Sequence, residues 1–213
     1  MSDAVSRLLV VAYRPYRPRR QTDRTDAMRE RIKAAVRELL AEGSFHTSTV
    51  GEVADRAGVA RATLYHHFGS RLELIDAICE TFAENPALVR LRAAVELADA
   101  DRALAETIAL TVRFWSSEDA VLRELYGVAA IDPAAQALVD RQRSDRRSEC
   151  DRLVANLRHA HRLRPGLTPR RALTLLLVLT SYDSYRELRA DGLSDRQATN
   201  LLQEAARIVL LPA

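Results

Sequence analysis

Apolar residues recur with a helical period along most of this chain. Between Asp26 and Glu42, Met28, Ile32, Ala35, Val36, Leu39 and Leu40 stand three or four apart, which puts them on one face of an amphipathic helix. Gly43 ends it. A shorter element follows, with Val50, Val53, Ala54 and Ala57 as its apolar face. Thr49 and Glu52 have the spacing of a capping box, which fixes its start. Gly58 can turn left-handed at little steric cost, and Val59 anchors the turn to the core. The next helix, Ala60 to His67, packs through Leu64 and Phe68. It leaves Arg61, Ala62, Thr63, Tyr65, His66 and His67 facing outward or partly so. A further helix is predicted from Arg71 to Glu84.

Beyond Asn85, proline and glycine punctuate the chain: Pro86, Gly127, Pro133, Pro165, Gly166, Pro169, Gly192 and Pro212. The stretches between them carry helical periods and no alternating, strand-like pattern. They predict helices over 87–99, 102–116, 119–130, 134–163, 169–190 and 194–210. The 134–163 helix would be about 45 Å long, and its polar middle, Asp140 to Glu149, is expected to be largely solvated. The fold class is therefore all-α. Residues 1–22 contain Pro15 and Pro18 and cannot form a regular helix there; a disordered basic arm is expected. Such an arm could lie along a minor groove or phosphates, or make no contact.

Helix, three-residue turn and short helix over Thr49–Phe68 make a helix-turn-helix, a motif whose second helix enters the DNA major groove. The charge distribution agrees. The 213-residue chain has a net charge of +3, yet Arg14 to Arg71 holds twelve Lys or Arg against seven Asp or Glu, a net of +5. The remainder is then −2, so the positive charge gathers where the motif lies.

The motif resembles the DNA-binding domain of the tetracycline-repressor (TetR) family, which usually reads Thr-x-x-x-Ile-Ala-x-x-Ala-Gly-Val-Ser-x-Gly-Thr-Leu-Tyr-x-His-Phe-x-Ser-Lys-x-x-Leu. Matching positions here are Thr49, Val53, Ala54, Ala57, Gly58, Val59, Thr63, Leu64, Tyr65, His67, Phe68, Ser70 and Leu74. Ala60 replaces a serine, Ala62 a glycine and Arg71 a lysine. The resemblance covers roughly residues 32–74. It implies an N-terminal three-helix DNA-binding domain over 23–70 and a helical effector-binding and dimerisation domain over 71–213. It also implies a double-stranded DNA operator, a homodimer formed through the last two helices, and a small apolar or amphipathic effector. The DNA-facing candidates are Thr49, Ala60, Arg61, Ala62, Thr63, Tyr65, His66, His67 and Arg71. Arg61 is the candidate base reader or phosphate clamp; Thr49, Tyr65 and Arg71 are the candidate phosphate contacts.

The segment 170–188 is apolar almost all round, so it must be covered on more than one side. A second copy or the chain's own core would do this. Phe114, Trp115, Tyr126 and Tyr182 in the body are core residues or the rings of an effector pocket; Asp183, between two serines, is a pocket acceptor or an interface partner. Together these five are the ligand-binding candidates.

His159 and His161 are two apart, about 200° around a helix, so they do not form a metal pair. No metal or cofactor is expected. No Gly-x-Ser-x-Gly elbow or glycine-rich phosphate loop is present, so catalysis finds no constellation. Cys79 and Cys150 fit packed thiols in a reducing, cytoplasmic setting. The apolar run Leu8–Tyr13 is too short for a membrane span. Two alternatives remain open: a ligand-independent dimeric DNA-binding protein, and an enzyme with a vestigial DNA-binding head.

Overall fold

The computed structural model describes residues 19–212; of the arm expected over 1–22, residues 1–18 lie outside them. Ten helices follow one another among the described residues, with no strand: α1 Arg19–Ala41, α2 Val50–Ala57, α3 Arg61–His67, α4 Arg71–Phe82, α5 Pro86–Ala94, α6 Ala100–Ala129, α7 Pro133–His159, α8 Pro169–Leu179, α9 Tyr182–Ala190 and α10 Asp195–Leu210. α1 starts at Arg19, inside the stretch expected to be an arm.

α1 to α3 form the head. Ile32, Val36, Leu40 and Phe45 are fully buried against Val53, Ala54 and Leu64. α1 also finishes the short helices. Arg31 donates to the Gly58 carbonyl at 2.9 Å and Arg29 to the His67 carbonyl at 3.0 Å. Both cations thus meet unpaired carbonyls at helix C-termini, where the macrodipole favours positive charge. Arg29 also lies over the Phe68 ring, 4.5 Å from its centre.

The body departs from the predicted boundaries in three places, each for a local physical reason. The expected pair 102–116 and 119–130 is one 30-residue helix, α6. The polar step Ser116-Ser117-Glu118 does not break it, because these side chains meet tertiary partners while the backbone stays helical. Ser116 bonds Asp195, and Glu118 turns inward to Arg37 and Asn85.

The expected helix 169–190 is instead two, α8 and α9. The Thr180 carbonyl accepts the Trp115 indole N–H at 3.1 Å, which withdraws it from the helical ladder. The Ser181 hydroxyl then accepts from the Ser184 N–H at 3.0 Å and starts α9 afresh. Finally, α7 stops at His159 rather than 163. His161 is left-handed at φ 55°, while the Arg162 N–H reaches the Leu157 carbonyl at 2.8 Å and the His161 N–H the Arg158 carbonyl at 3.1 Å. That is a Schellman closure made without glycine. Arg162 then grips Asp101 through two hydrogen bonds of 2.8 and 2.6 Å.

The long helices α6 and α7 pack along each other, with α5, α8 and α10 around them. No helix among the described residues is long and apolar enough to cross a membrane.

Candidate nucleic-acid interface and effector cavity

Local sequence builds the turn between α2 and α3. The Thr49 hydroxyl accepts from the Glu52 N–H at 3.2 Å and the Glu52 carboxylate accepts from the Thr49 N–H at 2.5 Å. These bonds to Thr49 hold the Glu52 carboxyl below its usual pKa. Gly58 is left-handed at φ 63° and ψ 41°, and the Val59 N–H returns to the Ala54 carbonyl at 2.9 Å. A side chain there would have to adopt a conformation L-residues avoid.

Leu64 and Phe68 pull α3 onto the head core. Opposite them, Arg61, Ala62, Tyr65 and His66 are exposed, and Thr63 and His67 half so. Tyr65 keeps 53% of its surface open. Arg61 folds back over α2, where any Cβ at Gly51 would collide with its guanidinium. Ala60 caps α3 without a side-chain bond. Burial, with the nearby charges of His66 and Arg29, lowers the His67 pKa. Its ring is therefore neutral at pH 7 and offers hydrogen bonds rather than charge.

Two of the nine DNA-facing candidates are already engaged. The Thr49 hydroxyl serves as the α2 cap, although the residue is exposed. Arg71 is turned inward: it donates to the Ser48 carbonyl at 2.6 Å and to the Phe45 carbonyl, with its guanidinium 4.1 Å from the Phe45 ring centre. Its position at the start of α4 suggests phosphate binding. The Ser48 and Phe45 carbonyls and the Phe45 ring face compete for it, and nothing in the sequence pattern marks those partners.

The body encloses a cavity of about 340 Å³ between α4, α5, α6 and α7, closed at one side by Thr180. This is at the lower end of the range for small-molecule sites. Phe114, Trp115 and Tyr126 line it. The other two ligand-binding candidates do not. Tyr182 packs behind Trp115, ring centres 5.4 Å apart, and donates to the Asp119 carboxylate at 2.7 Å. Burial pushes its phenol pKa up. Asp183 is exposed, one helical position out of step with the buried Tyr182 and Tyr185, so it faces away from the cavity.

Sequence reasoning missed several groups that the fold brings here. Cys79 and Cys150 are free, buried and on the cavity wall; burial raises both thiol pKa values, that of Cys79 to about 11. Gln142 and Arg146 reach the cavity from the stretch of α7 expected to be solvated. The Thr107 hydroxyl is buried on the wall and has no hydrogen-bond partner among the described residues, an arrangement costing about 1–3 kcal/mol when left unfilled.

Head and body meet through α6. Glu118, only 8% exposed in its side chain, pairs with Arg37 of α1. Arg37 also donates to the Thr81 hydroxyl at 2.7 Å, and Asn85 to Glu118 at 2.9 Å. One and a half turns on, Glu124 holds His46 at 2.5 Å. Among the described residues no cluster of His, Cys, Asp and Glu could hold a metal.

A helix-turn-helix head with an exposed face on α3 is thus fixed to an all-helical body that holds a cavity. Over its N-terminal domain the chain is similar to the tetR family: residues 32–78 match the family model for bacterial regulatory proteins, tetR family. Among curated relatives, the transcriptional activator FasR of Mycolicibacterium smegmatis is 37% identical over 60 residues, 28% of this chain and 27% of that protein. The transcriptional regulator UidR of Escherichia coli K12 is 38% identical over 68 residues, 32% of this chain and 34% of that protein. These matches thus span about a quarter to a third of the relatives' length. The structure of the SmeT–triclosan complex superposes with a TM-score of 0.67 at 18% identity, covering 87% of this chain and 92% of that one, a likeness of fold.

Proposed function

We propose that this protein is a cytoplasmic, non-enzymatic transcriptional regulator that binds a two-fold symmetric operator as a homodimer and is released when a small molecule fills the body cavity. The recognition face of α3 carries this reading: six neighbouring residues present a ring, a guanidinium, a hydroxyl and two imidazoles around a helix otherwise sealed to the core. Arg61 reads a base or clamps a phosphate, Tyr65 contacts phosphate, and Thr63, His66 and His67 bond the groove edges. Ala60 and Ala62 let the backbone approach closely. Thr49 and Arg71 act here as scaffold, holding α2 and α4 rather than touching DNA first.

The exposed apolar residues Val178, Leu201 and Ile208 on α8 and α10, exposed by 59, 45 and 58%, support dimerisation through the last helices. Leu201 and Ile208 are seven apart and share one face of α10. Release follows from α6, whose cavity residues Phe114 and Trp115 adjoin Glu118, the grip on the head. An occupant that binds one position of α6 better than another shifts the head accordingly. Repression is the proposed sign, since the simplest consequence of a bound dimer is to block a promoter.

Selection from a random duplex library tests the reading. The wild type should enrich a two-fold symmetric sequence, its half-sites about 34–36 Å apart or a multiple of that. Arg61→Ala should relax one position in each half-site, at a cost of roughly 1–3 kcal/mol. No enrichment by the wild type would refute it.

A further inference from the structure

Two donor groups on the cavity wall are left incompletely engaged among the described residues. One is the Thr107 hydroxyl, 2% exposed and unpartnered. Other helical threonines return their hydroxyls to the carbonyl four residues back: Thr111 to Thr107 at 2.8 Å, Thr174 to Arg170 at 3.0 Å and Thr180 to Leu176 at 2.7 Å. Thr107 forgoes this local option on the cavity wall.

The other group is the Arg146 guanidinium. It is half-buried and donates only to neutral acceptors, the Leu177 carbonyl at 3.0 Å and the Thr180 hydroxyl at 3.1 Å. The two other arginines on the cavity each have a carboxylate: Arg92 with Glu149 at 3.8 Å and Arg143 with Asp140 at 3.3 Å. Among the described residues Arg146 forms no ion pair. Glu80, Asp145 and Glu149 also line the cavity, but none of them pairs with Arg146, so an anionic occupant can supply the carboxylate that this guanidinium lacks.

The two groups lie at different levels. Thr180 joins Arg146 through its hydroxyl and Trp115 through its carbonyl, so Arg146 sits level with Trp115. Thr107 is eight residues back along α6, about 12 Å along the helix axis. Phe82, Leu88, Leu91 and Phe114 supply apolar wall.

We propose that the cavity takes an elongated apolar carboxylate, its carboxylate on Arg146 and a second polar group, on the order of 10 Å away, on the Thr107 hydroxyl. This rests on the reading of the cavity as the effector site and names the chemical class of its occupant.

Three probes of matched length test it: decanoate, decanol and ω-hydroxydecanoate, titrated into the full chain while Trp115 fluorescence is followed. Decanoate should bind roughly ten-fold tighter than decanol, and ω-hydroxydecanoate tighter still. Arg146→Gln keeps a donor for Leu177 and Thr180 but removes the charge; it should abolish the preference for acid and leave decanol unaffected. Thr107→Val should erase only the gain from the ω-hydroxyl. Equal binding of decanoate and decanol by the wild type overturns the proposal, as does an acid preference that survives Arg146→Gln or failure of all three to bind. The wild-type comparison decides even where a variant does not fold. Decanol binding without acid preference would leave the effector reading standing. Decanoate binding that leaves operator affinity unchanged would support this ligand class and count against the regulatory reading.

Discussion

Removing the Glu118 carboxylate leaves Arg37, between head and body, with Thr81 as its one side-chain acceptor. Losing one partner of a buried pair costs about 3–5 kcal/mol; Arg37 is one-third exposed, so solvent screening reduces this to roughly 1–3 kcal/mol. Glu118→Ala should lower the urea midpoint accordingly, whereas Glu124→Ala, whose partner His46 is half exposed, should cost less than about 1 kcal/mol. Cys79 makes a pH prediction of the opposite kind. Its folded pKa is raised by burial, from an ordinary 9.0 to about 11. Between those values the unfolded thiol loses its proton and the folded one keeps it, so stability is lost as pH rises through that window. The loss should approach roughly 1–2 kcal/mol and be absent in Cys79→Ala. Denaturation series at pH 8 and about pH 10.5 compare the two chains directly.

At the scale of elements, what was legible in the sequence was what neighbouring residues decide alone. The Thr49–Glu52 box, the Gly58 turn and the apolar face of α1 are set by contacts within a few residues, and the fold class followed from period alone. Elements shaped by distant partners were not legible. The continuity of α6 depends on Arg37 and Asp195, far away in sequence, and the break before α9 depends on the Trp115 indole. The same division runs through the candidate site. The outward residues of α3 could be read from one helix, whereas the cavity groups Thr107, Gln142, Arg146 and Cys150 come from two helices whose register no local pattern gives. Arg71 shows how charge alone misleads. Because it joins α4 to the loop through two carbonyls and the Phe45 ring, Arg71→Ala should destabilise the fold by roughly 1–3 kcal/mol, measured without DNA. Lysine, lacking the planar fork, should restore only part of this. Unchanged stability in Arg71→Ala would return the residue to the list of phosphate contacts.

For the molecule as a whole, the proposed dimer would link DNA reading to symmetry. A two-fold axis through α8 and α10 would hold two α3 helices at a fixed separation, and only a matching spacing of half-sites would engage both. Val178→Asp or Ile208→Asp puts a charge on an already exposed position, so the monomer fold should survive while the dimer does not. Leu202, by contrast, is buried within its own chain and a charge there would harm the fold first. Light scattering at micromolar concentration should give twice the 23.8 kDa chain mass for the wild type and the single mass for Ile208→Asp. The central claim is that the head reads sequence, and the most direct measurement is fluorescence anisotropy of the full chain on its selected duplex and on a scramble of the same composition, over a range of salt. The account predicts a ratio of about 10³ or more in favour of the selected duplex at physiological salt, with both affinities falling as salt rises. Equal affinity for the two duplexes at that salt would contradict it.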